Sequence, residues 1–369
     1  MTPRAILRVI AWNVVVLVGL LIVIEGASSW VLFVRDQALT RQYVAERRHT
    51  TYDPDLGWVN EPGIVIRDMY GPGISLRTNH QRFRNDADVQ KAVPAGKRRL
   101  IVSGDSFAFG FGVDNDHTWS QRLASLDGNL EVINMGQGGY GFDQAYLWYK
   151  RDGAALDHQT HVMAFIDEDF DRMQYDTFVG YGKPVLDVDL DHGALVVRNV
   201  PVPPVPYAIR WPGLHLDNLR SLRTVDLLGR LQRAIWPRTP TSFTSTWTDA
   251  KMDHILRLIL EDLKRMNDAH GSRLVLVHFV RRMEIRADRQ APPVETLARH
   301  ARAMDIPFID LAPDFQALSD QEIDGLFIKE GQVDYLGAAG HLNVPGNEFV
   351  ATRLHEKLAT ILATSARVQ

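Results

Sequence analysis

The sequence predicts an α/β fold of three layers, α/β/α, with helices on both faces of a parallel sheet. A transmembrane helix precedes it, and a hairpin and helical segment is inserted in it. Three observations predict this fold. Five short runs, at residues 100–103, 130–134, 161–166, 273–279 and 307–311, are mostly apolar, as strands buried on both faces are. Segments with helical spacing of apolar residues lie between and after them, and strand–helix alternation builds parallel sheets. The chain has 369 residues, 45% hydrophobic and 23% charged, which suffices for a sizeable core.

The first element is an apolar run from residue 6 to residue 34, densest between Val14 and Ile24. It exceeds the ~20 residues that a membrane-spanning helix needs. Trp12 and Trp30 would stand about 27 Å apart on a helix, near the two interfaces. Arg4 and Arg8 precede the run, so the N-terminus is expected in the cytoplasm and the remainder is expected to be exported. Residues 1–35 therefore read as a signal-anchor helix. A cleaved signal peptide is the competing reading. Its apolar region would be only about 7–15 residues long, and Gly26-Ala27-Ser28-Ser29 is a weak cleavage site. Glu25 is out of place in such a helix. It either lies near the outer interface or pairs inside a membrane assembly.

Residues 36–96 are polar and rich in Gly, Pro and Asn. Asp53-Pro54-Asp55-Leu56-Gly57-Trp58 and Glu61-Pro62-Gly63 are turn signals rather than core, so this stretch reads as a stalk and an irregular wrap. The α/β domain occupies 97–369. Its helices are expected at 143–156, 251–269, 294–304 and 347–362. The second of these carries Met252, Ile255, Leu256, Ile259, Leu260, Leu263 and Met266 on one face. An insertion at 172–245 interrupts the alternation. Residues 185–200 read as a hairpin turning at His192-Gly193. Residues 201–206 are proline-rich, and 214–235 look helical.

Charge and composition exclude some functions. The net charge is −4 and no Lys/Arg-rich stripe appears, so no nucleic-acid partner is expected. The chain has no cysteine, which removes disulfides, thiol nucleophiles and thiolate metal sites.

The first strand stops at Ser103-Gly104-Asp105-Ser106-Phe107. A strand ending there can hold the Ser106 hydroxyl at the carboxyl edge of a parallel sheet, where open α/β folds place their sites. A histidine would have to activate it. A plain strand-to-helix turn uses the same residue types. The second strand ends in Gly136-Gln137-Gly138-Gly139-Tyr140-Gly141, where a glycine N–H can face an incoming oxygen with no Cβ in the way. With the Ser106 N–H, that of Gly139 would make two oxyanion donors. No Lys-Ser or Lys-Thr follows, so the loop is not a phosphate loop. Gly340-His341-Leu342-Asn343 sits just before the last helix and supplies the histidine.

Together these residues resemble the SGNH/GDSL hydrolase family, over roughly residues 50–170 and 270–365. Val102 to Phe107 is similar to the nucleophile block. Val132 to Gly141 is similar to the oxyanion-glycine block, with Gly139 in the glycine position. Gly340-His341-Leu342-Asn343 with Gly346 is similar to the histidine block. Asp53 to Trp58 and the anchor resemble a membrane-anchored bacterial branch. The resemblance implies a flavodoxin-like sheet and, for the site, Ser106 as nucleophile, His341 as base and Gly139 as oxyanion donor. No metal or other cofactor is implied. Members are esterases, lipases and carbohydrate O-acyl hydrolases or transferases.

Two positions depart from that pattern. Asp167-Glu168-Asp169 stands where the family carries an Asn–Asp pair, which puts Glu168 at the Asn and Asp169 at the Asp. An ionised carboxylate only accepts hydrogen bonds and would repel an oxyanion. Ala338 and Ala339 stand where the family places the aspartate that supports the histidine. Asp334, Glu168 or a backbone carbonyl is left to orient His341, and Asp105 flanks the nucleophile.

Two functional readings follow. In the first, the chain is a serine ester hydrolase or O-acyltransferase facing the periplasm from a single-pass anchor in the bacterial inner membrane, acting on an ester-bearing small molecule or an acylated glycan. In the second, it is a catalytically impaired subunit docked on a membrane complex. A cation among Asp167, Glu168, Asp169 and Asp171 is a weaker idea, since the spacing is not that of a calcium loop. Trp211, Trp236 and Trp247 could stack on sugar rings, although packing is their commoner use.

Overall fold

The structure is a computed structural model that describes residues 2–40, 46–178, 181–189, 192–202, 222–225, 227, 228, 231, 247–287 and 290–365. It divides into two compact units. One comprises residues 1–44 and 205–244, and the other residues 45–204 and 245–369.

In the first unit, helix α1 spans Pro3–Thr40, and its segment Pro3–Arg35 is long and apolar enough to cross a membrane. Glu25, Ser28, Ser29 and Leu32 are buried, whereas Leu20, Leu21, Val23 and Ile24 are exposed. The buried positions follow the i, i+3, i+4, i+7 spacing of a single helical stripe. The Glu25 carboxylate accepts hydrogen bonds from the Arg223 N–H at 2.5 Å, the Thr224 N–H at 3.0 Å and the Thr224 hydroxyl at 2.8 Å. Of the segment 214–235 expected to be helical, residues 223–225, 227, 228 and 231 are helical, and the others apart from Leu222 lie outside the described residues.

The second unit is built on five parallel strands: β1 (Arg98–Gly104), β2 (Leu130–Gly136), β3 (Thr160–Phe165), β4 (Arg273–His278) and β5 (Phe308–Asp310). Their spatial order is β5-β4-β3-β1-β2, so the order reverses beside β1. The helices around the sheet include α2 (Ser106–Phe109), α3 (Trp119–Leu126), α4 (Phe142–Trp148), α5 (Glu168–Arg172), α6 (Asp249–Ala269), α7 (Pro292–Ala303) and α8 (Val344–Ser365). All five strand runs form strands. The helix expected at 143–156 leaves α geometry early, continuing as a π turn over Tyr149–Gly153 closed by Ala154 N–H onto the Tyr149 carbonyl.

Each strand sends alternate residues to opposite faces, and this makes the three layers. Ile101, Ile133, Met163 and Leu276 pack with α4, α6 and α7. Leu100, Val102, Val132, Val162 and Val275 pack with Trp119 and Leu123 of α3 and Val350, Ala351 and Leu354 of α8. Strands that are mostly apolar on both faces suit such a sandwiched sheet.

Residues 53–58 correct the expectation of turns without core. The turn itself is present: Asp53 Oδ1 accepts the N–H groups of Asp55 and Leu56 at 3.0 Å, and Gly57 has φ +87°. It joins two paired strands, Thr50–Asp53 and Gly57–Asn60. Leu56, Trp58 and Val59 are fully buried in the layer of α4 and α6. The apolar residues were too few and too close to the turn to stand out as a strand. Farther along, buried Arg84 donates to the carbonyls of Phe109, Gly110 and Val113, fastening the wrap to the end of α2.

The expected hairpin is present as Val185–Asp189 paired with Ala194–Arg198. Trp211 and Trp236 lie outside the described residues. Trp247 packs against the core, with the Lys251 ammonium 4.9 Å from its ring centre, so it is not a free stacking platform.

Candidate active site

The register of the sheet sets Gly104 beside Gly136 and, across β3 and β4, Phe165 beside His278 and His278 beside Asp310. Every following loop therefore leaves from one carboxyl edge, and the reversal at β1 opens a crevice there.

β1 turns directly into α2. Asp105 caps that helix, its Oδ1 accepting the Phe107 N–H at 2.9 Å. Gly104 allows the tight turn, since a Cβ there would lie 2.7 Å from that of Ala108. Ser106 is then the first helical residue, buried, with its N–H in the first turn, where no intrahelical acceptor exists.

His341 arrives on the loop before α8, and its Nε2 lies 2.7 Å from Ser106 Oγ. Its Nδ1 stands 3.3 Å from the Ala338 carbonyl oxygen. A carbonyl only accepts, so Nδ1 carries the proton and Nε2 is left to accept from the serine hydroxyl. Phe107 and Phe111 flank the ring, with centroids 4.8 Å and 5.3 Å away. Burial holds the imidazole pKa down at about 4, and the Arg172 charge acts in the same direction. Asp334, the carboxylate nearest in sequence, does not reach the ring. Its N–H donates to the Tyr70 carbonyl at 3.1 Å, and its carboxylate lies beside Gly71.

Gly139 has φ +76°, and a Cβ there would run into the Phe178 ring. Its N–H meets no acceptor among the described residues. The loop is held from three sides. Gln137 N–H donates to the Gly104 carbonyl at 3.0 Å, Trp58 Nε1 to the Gly138 carbonyl at 3.0 Å, and Arg172 Nη1 to the Tyr140 carbonyl at 3.1 Å.

Glu168 sits at the start of α5 but turns onto two arginines, with Oε2 2.6 Å from Arg281 Nη1 and 3.4 Å from Arg172 Nη2. Its charge is thus balanced, which removes the reason to expect repulsion of an oxyanion. Arg172 is the residue that sequence reasoning missed. Its Nη1 also lies 2.8 Å from Asp169 Oδ1 and 3.5 Å from Asp105 Oδ2, and that same Asp105 oxygen is 3.5 Å from Ser106 Oγ. Burial pushes the Asp105 and Asp169 carboxyls up, Asp169 well above its ordinary value, and the Arg172 charge opposes the rise. The buried Arg172 Nε–H has no partner among the described residues.

The acidic run does not converge on one point. Asp167 Oδ1 pairs with His278 Nε2 at 2.7 Å, Glu168 with Arg281, and Asp169 with Arg172. No cluster suited to a metal occurs among the described residues. Ser106, Phe107, Phe111, His341 and Leu342 line a shallow depression with about 150 Å³ of empty space.

No family model matches the sequence, and neither does any curated protein. Solved structures similar in fold include a G-D-S-L family lipolytic protein from Desulfitobacterium hafniense DCB-2. It is 14% identical, with a TM-score of 0.38, over 70% of this chain and 99% of that one. A lipase/acylhydrolase from Enterococcus faecalis is 14% identical, with a TM-score of 0.34, over 70% and 96%. The acetyl xylan esterase AlAXEase is 15% identical, with a TM-score of 0.36, over 70% and 98%.

Proposed function

We propose that this chain is a serine ester hydrolase or O-acyltransferase of the SGNH/GDSL type, held by α1 in the bacterial inner membrane with its α/β domain in the periplasm. The observation that carries this reading is the 2.7 Å contact between Ser106 Oγ and His341 Nε2, with the tautomer set by the Ala338 carbonyl. Nε2 takes the hydroxyl proton as Oγ attacks the ester carbonyl carbon. The carbonyl electrons move to oxygen, which the N–H groups of Ser106 and Gly139 meet. As that oxyanion collapses, the ester C–O bond breaks and the leaving alkoxide takes the proton from Nε2. An acyl-serine remains, and water or an acceptor hydroxyl, deprotonated by the same nitrogen, releases it. Arg172 contributes a fixed positive charge beside the Gly139-Tyr140 peptide.

The substrate on this reading is an ester-bearing small molecule or an acylated glycan. The alternative of an impaired subunit rests on Ala338, Ala339 and Glu168 and on the long proline-bearing insertion. The carbonyl beneath Nδ1 and the arginines on Glu168 weigh against it.

Labelling with a fluorophosphonate tests the reading. An adduct on Ser106 at neutral pH, absent from Ser106→Ala, is expected, together with turnover of p-nitrophenyl acetate. A folded protein that forms no adduct would overturn it.

A further inference from the structure

We propose that the helical residues 223–225, 227, 228 and 231 of the inserted segment form a second membrane element, clasped to α1 by Glu25 and immersed by their apolar edge in lipid acyl chains. The proposal rests on the reading of α1 as a membrane anchor and is independent of any catalytic activity.

Depth is the first argument. On a helix rising about 1.5 Å per residue, Arg8 and Arg35 stand about 40 Å apart, close to the ~40–45 Å of a bilayer with its headgroups. Glu25 then lies about 15 Å inside the level of Arg35, within the hydrocarbon. A carboxylate at that depth needs partners inside the protein. Among the described residues it has three, and all come from Arg223 and Thr224. Those two N–H groups begin a helical stretch, where main-chain donors lack intrahelical acceptors and would be orphaned in lipid. Each side supplies what the other lacks, so the start of the segment is fixed at the depth of Glu25.

Packing is the second argument. Ser28 Oγ lies 3.2 Å from Thr224 Oγ1, on the same buried stripe as Glu25. Small side chains at 28 and 29 let a second backbone approach closely, as at helix contacts within membranes.

Exposure is the third. Val225, Leu228 and Leu231 are 46%, 59% and 47% exposed. Leu20, Leu21, Val23 and Ile24 of α1, at the same depth, are exposed to a similar degree.

The chain has no cysteine, so single labels can be placed without background. Val225→Cys, Leu228→Cys and Leu231→Cys would be spin-labelled in the full chain, in phosphatidylethanolamine and phosphatidylglycerol vesicles. Leu21→Cys reports the anchor, and exposed Ser125→Cys reports water. The relaxation by oxygen and by a nickel chelate is then compared. Oxygen access with nickel exclusion at 225, 228 and 231, as at 21, is the expected result. Nickel access at all three with exclusion at 21 would overturn the proposal and leave the anchor standing. Nickel access at 21 as well would remove both. Adding Glu25→Leu should open position 228 to nickel, and an unchanged signal there would overturn the clasp.

Discussion

His341 Nε2 lies 2.7 Å from Ser106 Oγ although 235 residues separate the two along the chain. One is delivered by the end of β1 and the other by the loop before α8, so two rigid elements define the pair. Ser106→Ala and His341→Ala should each lower kcat about 10⁴-fold or more, and the double variant should be no slower than the worse single one. Initial rates on p-nitrophenyl acetate test this, with unchanged far-UV circular dichroism as the folding control.

The acid limb of activity should lie near pH 4 rather than near 6.5, because burial holds the His341 imidazole neutral to about 4. Only the neutral ring accepts the serine proton, so kcat/KM falls as pH drops through that value. The same shift acts on stability. The unfolded chain binds this proton at 6.5 and the folded chain resists it until about 4, so the contribution is complete above 6.5 and lost on descending to 4. A pH–rate profile with its half-point near 6.5 would contradict the geometry.

Arg172→Lys should lower kcat on the order of 10²-fold with little change in KM, because a single ammonium cannot reach Tyr140, Asp169 and Asp105 together. Arg172→Gln removes a charge that depresses the His341 pKa, so the acid limb should move upward. It should also lower the melting temperature, since Asp105 and Asp169 are left buried without their cation. A purely structural arginine would move the melting temperature and leave the pH profile in place.

Trp58→Phe keeps the packing against Tyr140 and Phe178 but deletes the N–H that holds the Gly138 carbonyl. One hydrogen bond of about 0.5–1.5 kcal/mol should appear as a roughly 2–10-fold loss of kcat. Trp58→Ala should instead cost about 3–5 kcal/mol of stability, as large core truncations do. Steady-state kinetics and urea unfolding separate the two outcomes.

The parts of this molecule visible in the sequence are the local ones. Strands buried on both faces announce themselves by short, mostly apolar runs, and Gly104-Asp105-Ser106 is made of residue types that favour a turn. The Gly139 loop and His341 stand out for the same reason. What stayed hidden is made by distance. Trp58 reaches Gly138 across 80 residues, and nothing near it in sequence marks it as support for a loop. Arg172 reads as one more charge in an acidic run until α5 lays its guanidinium on the Tyr140 carbonyl. The two alanines at 338 and 339 look like a missing carboxylate because residue types say nothing about where a main-chain oxygen points.

That oxygen has an evolutionary consequence. A supporting aspartate can be erased by one nucleotide change, whereas the Ala338 carbonyl belongs to the polypeptide itself and survives nearly every replacement of its side chain. Drift at this position leaves the imidazole held, and an alanine scan passes over it in silence. On the proposed reading, a missing acid does not by itself mark a chain as inactive.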